Sequence, residues 1–447
     1  MADTTIEFYG GVRVIGGSKI MISTPSARVL LDMGLDIPGG ADLFRAPVQT
    51  RQGHELADYL AVGHAPRLPG IYDPAQLTAY GTYAEGLAEL ATPDPRPTAV
   101  FISHAHIDHD GLLGFVRPDV PVYGHPDTVR VHRALGLTGM GPAGNPVQMQ
   151  EIRPGEPMAV GDLQVEGIPV SHDVPGACGY LVTTPDGRVA YTGDINFHRD
   201  GGAASRAFVD RVRGVDALVS ETTMLSFDPP EGEEPHAPAT EGEVVATFEE
   251  ACRADALILV SLYERDIERA QSFVRAAADV GRTLVWPGQI ATFLQAMGVD
   301  GVVTWDGSRP QRAVHAAAVE ASPTAVKTIG LDEVHANPSA YAVQLDPRDN
   351  PAMLDLPLTP DSVWVHSQGE PLGPFMDEWA PFMDWLQRLG VAHVHAGSTG
   401  HAPGTDLISM VEGIAPRKVF AIHGFRPERL STGVPTVLPE YGTRYTV

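Results

Sequence analysis

Thiols are almost missing from this chain of 447 residues: Cys178 and Cys252 are the only cysteines, and they form neither a Cys-x-x-Cys nor a zinc-ligand spacing. Their scarcity excludes a disulfide-stapled scaffold and fits a reducing compartment. Lysine is nearly as rare, with Lys19, Lys327 and Lys418 the full complement. The formal net charge of -25 argues against tight, nonspecific coating of duplex DNA, which draws on a basic surface. Two divalent cations would bring about four positive charges to a cleft whatever the surface sum, so the acidity does not exclude a phosphodiester substrate. No apolar run approaches the roughly 20 residues that span a bilayer. The stretch from Met1 to Glu7 lacks the basic and apolar regions of a signal peptide. A cytoplasmic protein without a membrane partner is expected. The length exceeds one ordinary core, so two domains are expected, with one inserted in the other as one arrangement.

What the chain does have is histidine set beside carboxylates. His104, His106, Asp108 and His109 crowd together directly after the apolar run Ala99 to Ile102. Alternation at a strand end aims His104 and His106 the same way, while the following turn can aim Asp108 and His109 at a second point. Two metals a few ångströms apart are implied, and imidazole with carboxylate suits Zn, Mn or Fe better than Mg or Ca. Such a pair needs another imidazole, a carboxylate able to bridge, and a closing imidazole. His172 follows the amphipathic strand pattern from Leu163 to Ile168, Asp194 follows Tyr191-Thr192-Gly193, and His423 follows Val419 to Ile422. Each alone is as readily a structural His or a turn Asp. Together they share one position, where a rigid strand hands over to a loop.

In this order the residues resemble the metallo-β-lactamase family, whose motif runs His-x-His-x-Asp-His, then a later His, a Gly-Asp and a final His. Further segments narrow the resemblance to the β-CASP nucleases of the RNase J type. They are Leu218 to Thr223, with Glu221 at the acidic position, Leu259 to Tyr263 with the helix carrying Arg269, His366 to Pro371, and Ser398 to Ala402. The resemblance implies an α/β fold, an αββα metallo-β-lactamase sandwich with an inserted α/β β-CASP domain. The expected boundaries are residues 1–225 and 391–447 for the sandwich and 226–390 for the insert.

The resemblance further implies two divalent metal ions, Zn or Mn. His104, His106 and His172 would hold the first, Asp108, His109 and His423 the second, and Asp194 would bridge them. A metal-activated hydroxide would attack the phosphodiester, with His401 supplying the leaving oxygen's proton and Glu221 accepting a hydrogen bond from its imidazole. Asp108, Asp194, His401 and Glu221 thus form the expected catalytic set. Ser367, Gln368, Ser398, Thr399 and Gly400 are the expected substrate contacts, in a cleft suited to a threaded strand. The substrate so implied is single-stranded RNA degraded from its 5′ end, with endonucleolytic cleavage as well. Single-stranded DNA and a small ester or thioester are the alternatives.

Some features depart from the family. Thr399 replaces a Ser, which adds a methyl beside the expected phosphate contacts. RNase J proteins usually continue into a domain that helps them dimerise, and this sequence ends soon after His423, so a homodimer is left open. The Gly- and Pro-rich segment 38–74 reads as a lid, an interface loop or a decoration. The stretch from Phe227 to Thr240 reads as an exposed linker, after which helix and strand patterns alternate as in a parallel α/β unit. Val391 to Ala396 is expected as a strand of the first domain leading to His401. His393 and His395, inside that strand, are read as structural. His125 is read as the start of a helix, and His366 as either structural or a substrate contact.

Overall fold

The computed structural model describes residues 3–36, 48–228, 238–307 and 326–447. It divides into two compact units, one formed by Met1–Arg133, Gly141–Ala237 and Gly400–Val447, the other by Ala134–Met140 and Pro238–Thr399.

The first unit holds two seven-stranded sheets. One contains β1 (Thr5–Phe8), β2 (Ile20–Ser23), β3 (Arg28–Leu31), β4 (Thr98–Ile102), β5 (Val122–Gly124) and β6 (Met149–Glu151) in that order, with β21 (Arg444–Thr446) beside β1. The other runs β7 (Met158–Val160), β8 (Leu163–Pro169), β9 (Cys178–Thr184), β10 (Gly187–Tyr191), β11 (Ala217–Glu221), β19 (Lys418–Ile422) and β20 (Thr436–Val437). Alternation decides which face each strand contributes to the core. Ile20, Ile22, Val29, Leu31 and Phe101 of the first sheet meet Val165, Tyr180, Val182, Val219 and Phe420 of the second in one buried cluster. Aromatic pairs tie the two layers, with ring centroids 5.1 Å apart for Phe8 and Phe420 and 5.7 Å for Phe101 and Tyr180.

The alternate residues point outward and are covered by helices, because a sheet apolar on both faces must bury both. Leu181, Ala190, Leu218 and Val419 pack on Phe208 and Val212 and on Leu407, Met410, Val411 and Ile414. These last four lie on the helix Gly404–Ile414. On the first sheet, Leu30, Val100, Ile102 and Val122 are covered by a group that includes Leu56, Leu60, Leu68, Ile71 and Tyr72. The layers are helix, sheet, sheet, helix. The open reading of segment 38–74 narrows accordingly: its residues 38–47 lie outside the described ones, while Leu56 to Tyr72 form part of the outer core.

The second unit carries an all-parallel sheet in the order β15 (Lys327–Ile329), β14 (Val303–Trp305), β13 (Thr283–Trp286), β16 (Tyr341–Gln344), β12 (Ile258–Leu262), β17 (Val363–Ser367), β18 (Ala392–His395). Ile258 to Leu262 are all buried, as expected of a parallel strand covered on both faces. The strand expected at Val391 to Ala396 does form, but it pairs with β17, Trp364 opposite His393 and His366 opposite His395. The insert's sheet therefore extends past residue 390, and this unit closes at Thr399. The linker segment expected from Phe227 to Thr240 falls mostly on residues 229–237, outside the described ones. Among the described residues no helix is long and apolar enough to cross a membrane.

Candidate metal centre

Parallel strands present their carboxyl ends at one edge, and there the first unit gathers its ionisable side chains. His104 follows β4, and the short helix Ile107–Asp110 carries Asp108 and His109. β10, β11 and β19 are neighbours, so Asp194, Glu221 and His423 stand side by side just beyond or at their ends. His172 lies in the loop after β8, pinned where Ser171 bridges Asn196. His423 takes a left-handed backbone at φ 54°, a strained state for a residue with a Cβ. Its N–H donates to Gly11 O at 2.7 Å, which helps hold that turn.

Two overlapping groups result. One ligand atom each from His104, His106, His172 and Asp194 lies within 4.8 Å of the others, and the same holds for Asp108, His109, Asp194 and His423. A third group joins Asp194, Glu221 and His401. His172 Nε2 and His106 Nδ1 are 3.4 Å apart, and His423 Nε2 lies 3.1 Å from Asp108 Oδ2. Asp194 is common to the groups, with Oδ2 at 3.2 Å from His109 Nε2 and 3.6 Å from His104 Nε2. All seven expected ligands are thus brought together.

The surrounding hydrogen bonds fix which nitrogen of three rings, His109, His172 and His423, faces inward. Asp32, fully buried at φ 61°, accepts from Ser103 N at 2.6 Å, Ser103 Oγ at 2.7 Å, Tyr191 OH at 2.7 Å and His109 Nδ1 at 2.7 Å. His172 Nδ1 donates to Gly400 O at 2.7 Å. Thr223 Oγ1 donates to His423 O at 3.1 Å, so it accepts from His423 Nδ1 at 2.8 Å. Each Nε2 is then the nitrogen turned to the centre, and those of His109 and His423 lie 3.2 Å apart. His104 Nε2 and Asp194 Oδ1 are buried without a hydrogen-bond partner. Clustered ring nitrogens and orphaned buried acceptors are costly unless a cation lies among them, so the residues fit divalent metal at both positions.

Electrostatics follow from the same packing. Burial and the neighbouring His109, His106 and His172 rings push His104 well below the ordinary imidazole value. Burial opposes ionisation of Asp194, but the rings of His109 and His423 outweigh it and hold the carboxyl low. His401 Nδ1 lies 3.1 Å from both Glu221 oxygens. Burial disfavours its charge, yet the carboxylates of Glu221 and Asp194 prevail and push it up to about 10. Glu221 is itself held by Ile195 N at 3.1 Å and Thr223 N at 3.2 Å.

The expected substrate contacts divide between the units. Gly400 lies in the first, and Ser367, Gln368, Ser398 and Thr399 lie in the second. Ser367 Oγ and Ser398 Oγ are buried there without hydrogen-bond partners. Gln368, at φ 70°, is anchored by Arg269 Nη1, which donates to its Oε1 at 2.7 Å. His366 is buried against Trp379 and Phe382, with Nε2 3.3 Å from Gly369 O, and His393 sits beside it. Sequence reasoning overlooked Asp32 and Thr223. Leu30-Leu31-Asp32-Met33-Gly34 carried the signal for Asp32, a strand-end acid followed by Gly, the same punctuation that marked Asp194.

Residues 84–260 match the family model of a beta-lactamase superfamily domain. The chain is similar to Ribonuclease J of Pyrococcus abyssi, 28% identical over 250 residues that cover 51% of this chain and 53% of that protein. It is also similar to Ribonuclease J of Mycolicibacterium smegmatis, 26% identical over 378 residues that cover 77% of this chain and 63% of that protein. The aligned part spans less than two thirds of either relative. A crystal structure of a protein of unknown function from Enterococcus faecalis V583 superposes with a TM-score of 0.79 at 25% identity, covering 99% of this chain and 100% of that one. Sheets, ligand cluster and matched segment agree in identifying a metallo-β-lactamase domain in a chain similar to Ribonuclease J.

Proposed function

We propose that the protein is a metal-dependent hydrolase that cleaves phosphodiester bonds of single-stranded RNA. The observation that carries this reading is the pair of ligand groups sharing Asp194, with His401 held by Glu221 at their side. His104, His106 and His172 would hold one divalent cation, Asp108, His109 and His423 the other, and Asp194 both. Zn or Mn bound there would supply a water acidic enough to attack at neutral pH and charge to offset that growing on the phosphoryl oxygens.

The remaining work falls to the chain's own side chains. Glu221 keeps His401 Nδ1 occupied, which leaves Nε2 as the nitrogen that hands a proton to the departing alkoxide. Glu221 also stabilises the imidazolium until that transfer occurs. Asp32, Gly400 O and Thr223 set the tautomers of His109, His172 and His423, so no ring must reorient when substrate arrives. In the second unit, the Ser367 and Ser398 hydroxyls, with Gln368 and Thr399 beside them, supply donors for a phosphate of the strand. The similarity to proteins named Ribonuclease J supports RNA as the substrate; attack from a 5′-monophosphate end, with internal cleavage as a companion activity, is part of the same proposal.

The test compares 5′-phosphorylated and 5′-hydroxyl single-stranded RNA and DNA, each with added Zn or Mn, beside a panel of esters and thioesters. Mononucleotide release from 5′-phosphorylated RNA, faster than from the other oligonucleotides, is expected. Turnover confined to esters or thioesters would replace this reading with a small-molecule hydrolase.

A further inference from the structure

We propose that Asp173 is an additional ligand of the first metal position, so that three imidazoles and two carboxylates meet there. This rests on the metal-dependent reading above. Asp173 shares the loop of His172, and its side chain is only 10% exposed. Its Oδ1 is buried and has no hydrogen-bond partner. That atom lies 3.2 Å from His172 Nε2 and 3.3 Å from His106 Nε2.

The contact with His172 carries the assignment. His172 Nδ1 is spent on Gly400 O, a group that can only accept, so Nδ1 carries a proton, and in the neutral ring, the form that binds metal, Nε2 presents the lone pair. A carboxylate oxygen also only accepts. Two acceptors 3.2 Å apart repel unless a positive centre lies between them. With metal–ligand bonds of about 2.1 Å, adjacent ligand atoms stand roughly 3.0 Å apart at right angles and roughly 3.4 Å apart in a tetrahedron. The observed separation falls within that range.

The surroundings keep the carboxylate in place. A Cβ built on Gly400 would meet Asp173 Oδ2 at 2.6 Å and His172 Cε1 at 2.8 Å, so only glycine leaves room for this arrangement. Arg199, nearly fully buried, donates through Nη1 to His172 O at 3.2 Å and brings positive charge to the same loop. A second carboxylate makes the first position harder and raises its coordination number. Such a site favours Mn over tetrahedral Zn, compared with a position of three imidazoles and one carboxylate.

Metal-free wild type, Asp173→Asn, Asp173→Ala and His104→Ala are titrated with Mn and with Zn, and the visible spectrum of each cobalt-loaded protein is recorded. Thermal melts of the metal-free forms show which variants remain folded, and the near-isosteric Asn variant guards against collapse of the loop. Asp173→Asn is expected to lose Mn affinity at one position by about tenfold or more, with a smaller loss for Zn. Its cobalt absorption should intensify as the coordination number falls. Unchanged Mn affinity overturns the assignment, and so does weaker affinity with an unaltered cobalt spectrum, the mark of a residue that merely orients a ring. Wild type that binds no metal at all, matching His104→Ala, fails the metal-dependent reading itself and is told apart by that match.

Discussion

His109 and His423 stand 314 positions apart in the chain, yet their Nε2 atoms lie 3.2 Å from each other, each ring having already given its Nδ1 proton to a fixed acceptor. Two imidazole nitrogens held this close beside Asp108 and Asp194 suit a shared divalent cation. Chelation should therefore lower the melting temperature, and Zn or Mn added back should restore it. A cation present at about a hundred times its Kd contributes about 2.7 kcal/mol to folding. His423→Ala should hold about half the wild-type metal, as measured by elemental analysis.

Asp32 accepts four hydrogen bonds without exposure to solvent. Asp32→Ala should weaken metal binding at the His109 position by about 10- to 100-fold and cost about 3–5 kcal/mol of stability, because Ser103, Tyr191 and His109 all lose their acceptor. Chelator competition and denaturant unfolding read the two effects separately.

His401 and Glu221 should behave differently from the ligands. His401→Ala and Glu221→Gln are expected to keep full metal content while cleavage falls by about 10²- to 10⁴-fold. Metal loss in His401→Ala as large as that in His104→Ala would make His401 a ligand.

Acid should weaken the second unit through His366. Burial, together with the nearby His393 and His395 rings, holds its imidazole at about 4, against an ordinary value of 6.5. The folded chain binds fewer protons than the unfolded one between those values, so the contribution is complete above pH 6.5 and is lost as pH falls toward 4. Its size is on the order of 3 kcal/mol. Replacing His366 with Gln should flatten that part of the stability profile in urea melts taken across the range.

Much of this centre is legible from the sequence because its ligands sit at strand ends, where an apolar run stops abruptly at an imidazole or an acid. Ile102 before His104 and Ile422 before His423 are examples. Asp32 resists such reading, since its partners Ser103, His109 and Tyr191 are 71, 77 and 159 positions away and only the folded sheets bring them near. Asp173 was hidden in a different way, beside a histidine that already explained the loop. The closing edge of the compact second unit, at Thr399 where the sequence suggests about residue 390, is harder to read because Ala392 to His395 carries no pattern that tells one sheet from another. Its allegiance rests on backbone pairing with β17, which leaves no trace in side-chain order.

β19 enters its sheet between β11 and β20, and the residue after it completes the second ligand group. During synthesis that strand emerges only after the entire parallel unit has been made. A ribosome-bound chain therefore lacks the second ligand group until His423 itself has been made, long after the parallel unit opens at Pro238 and well after the His104 cluster.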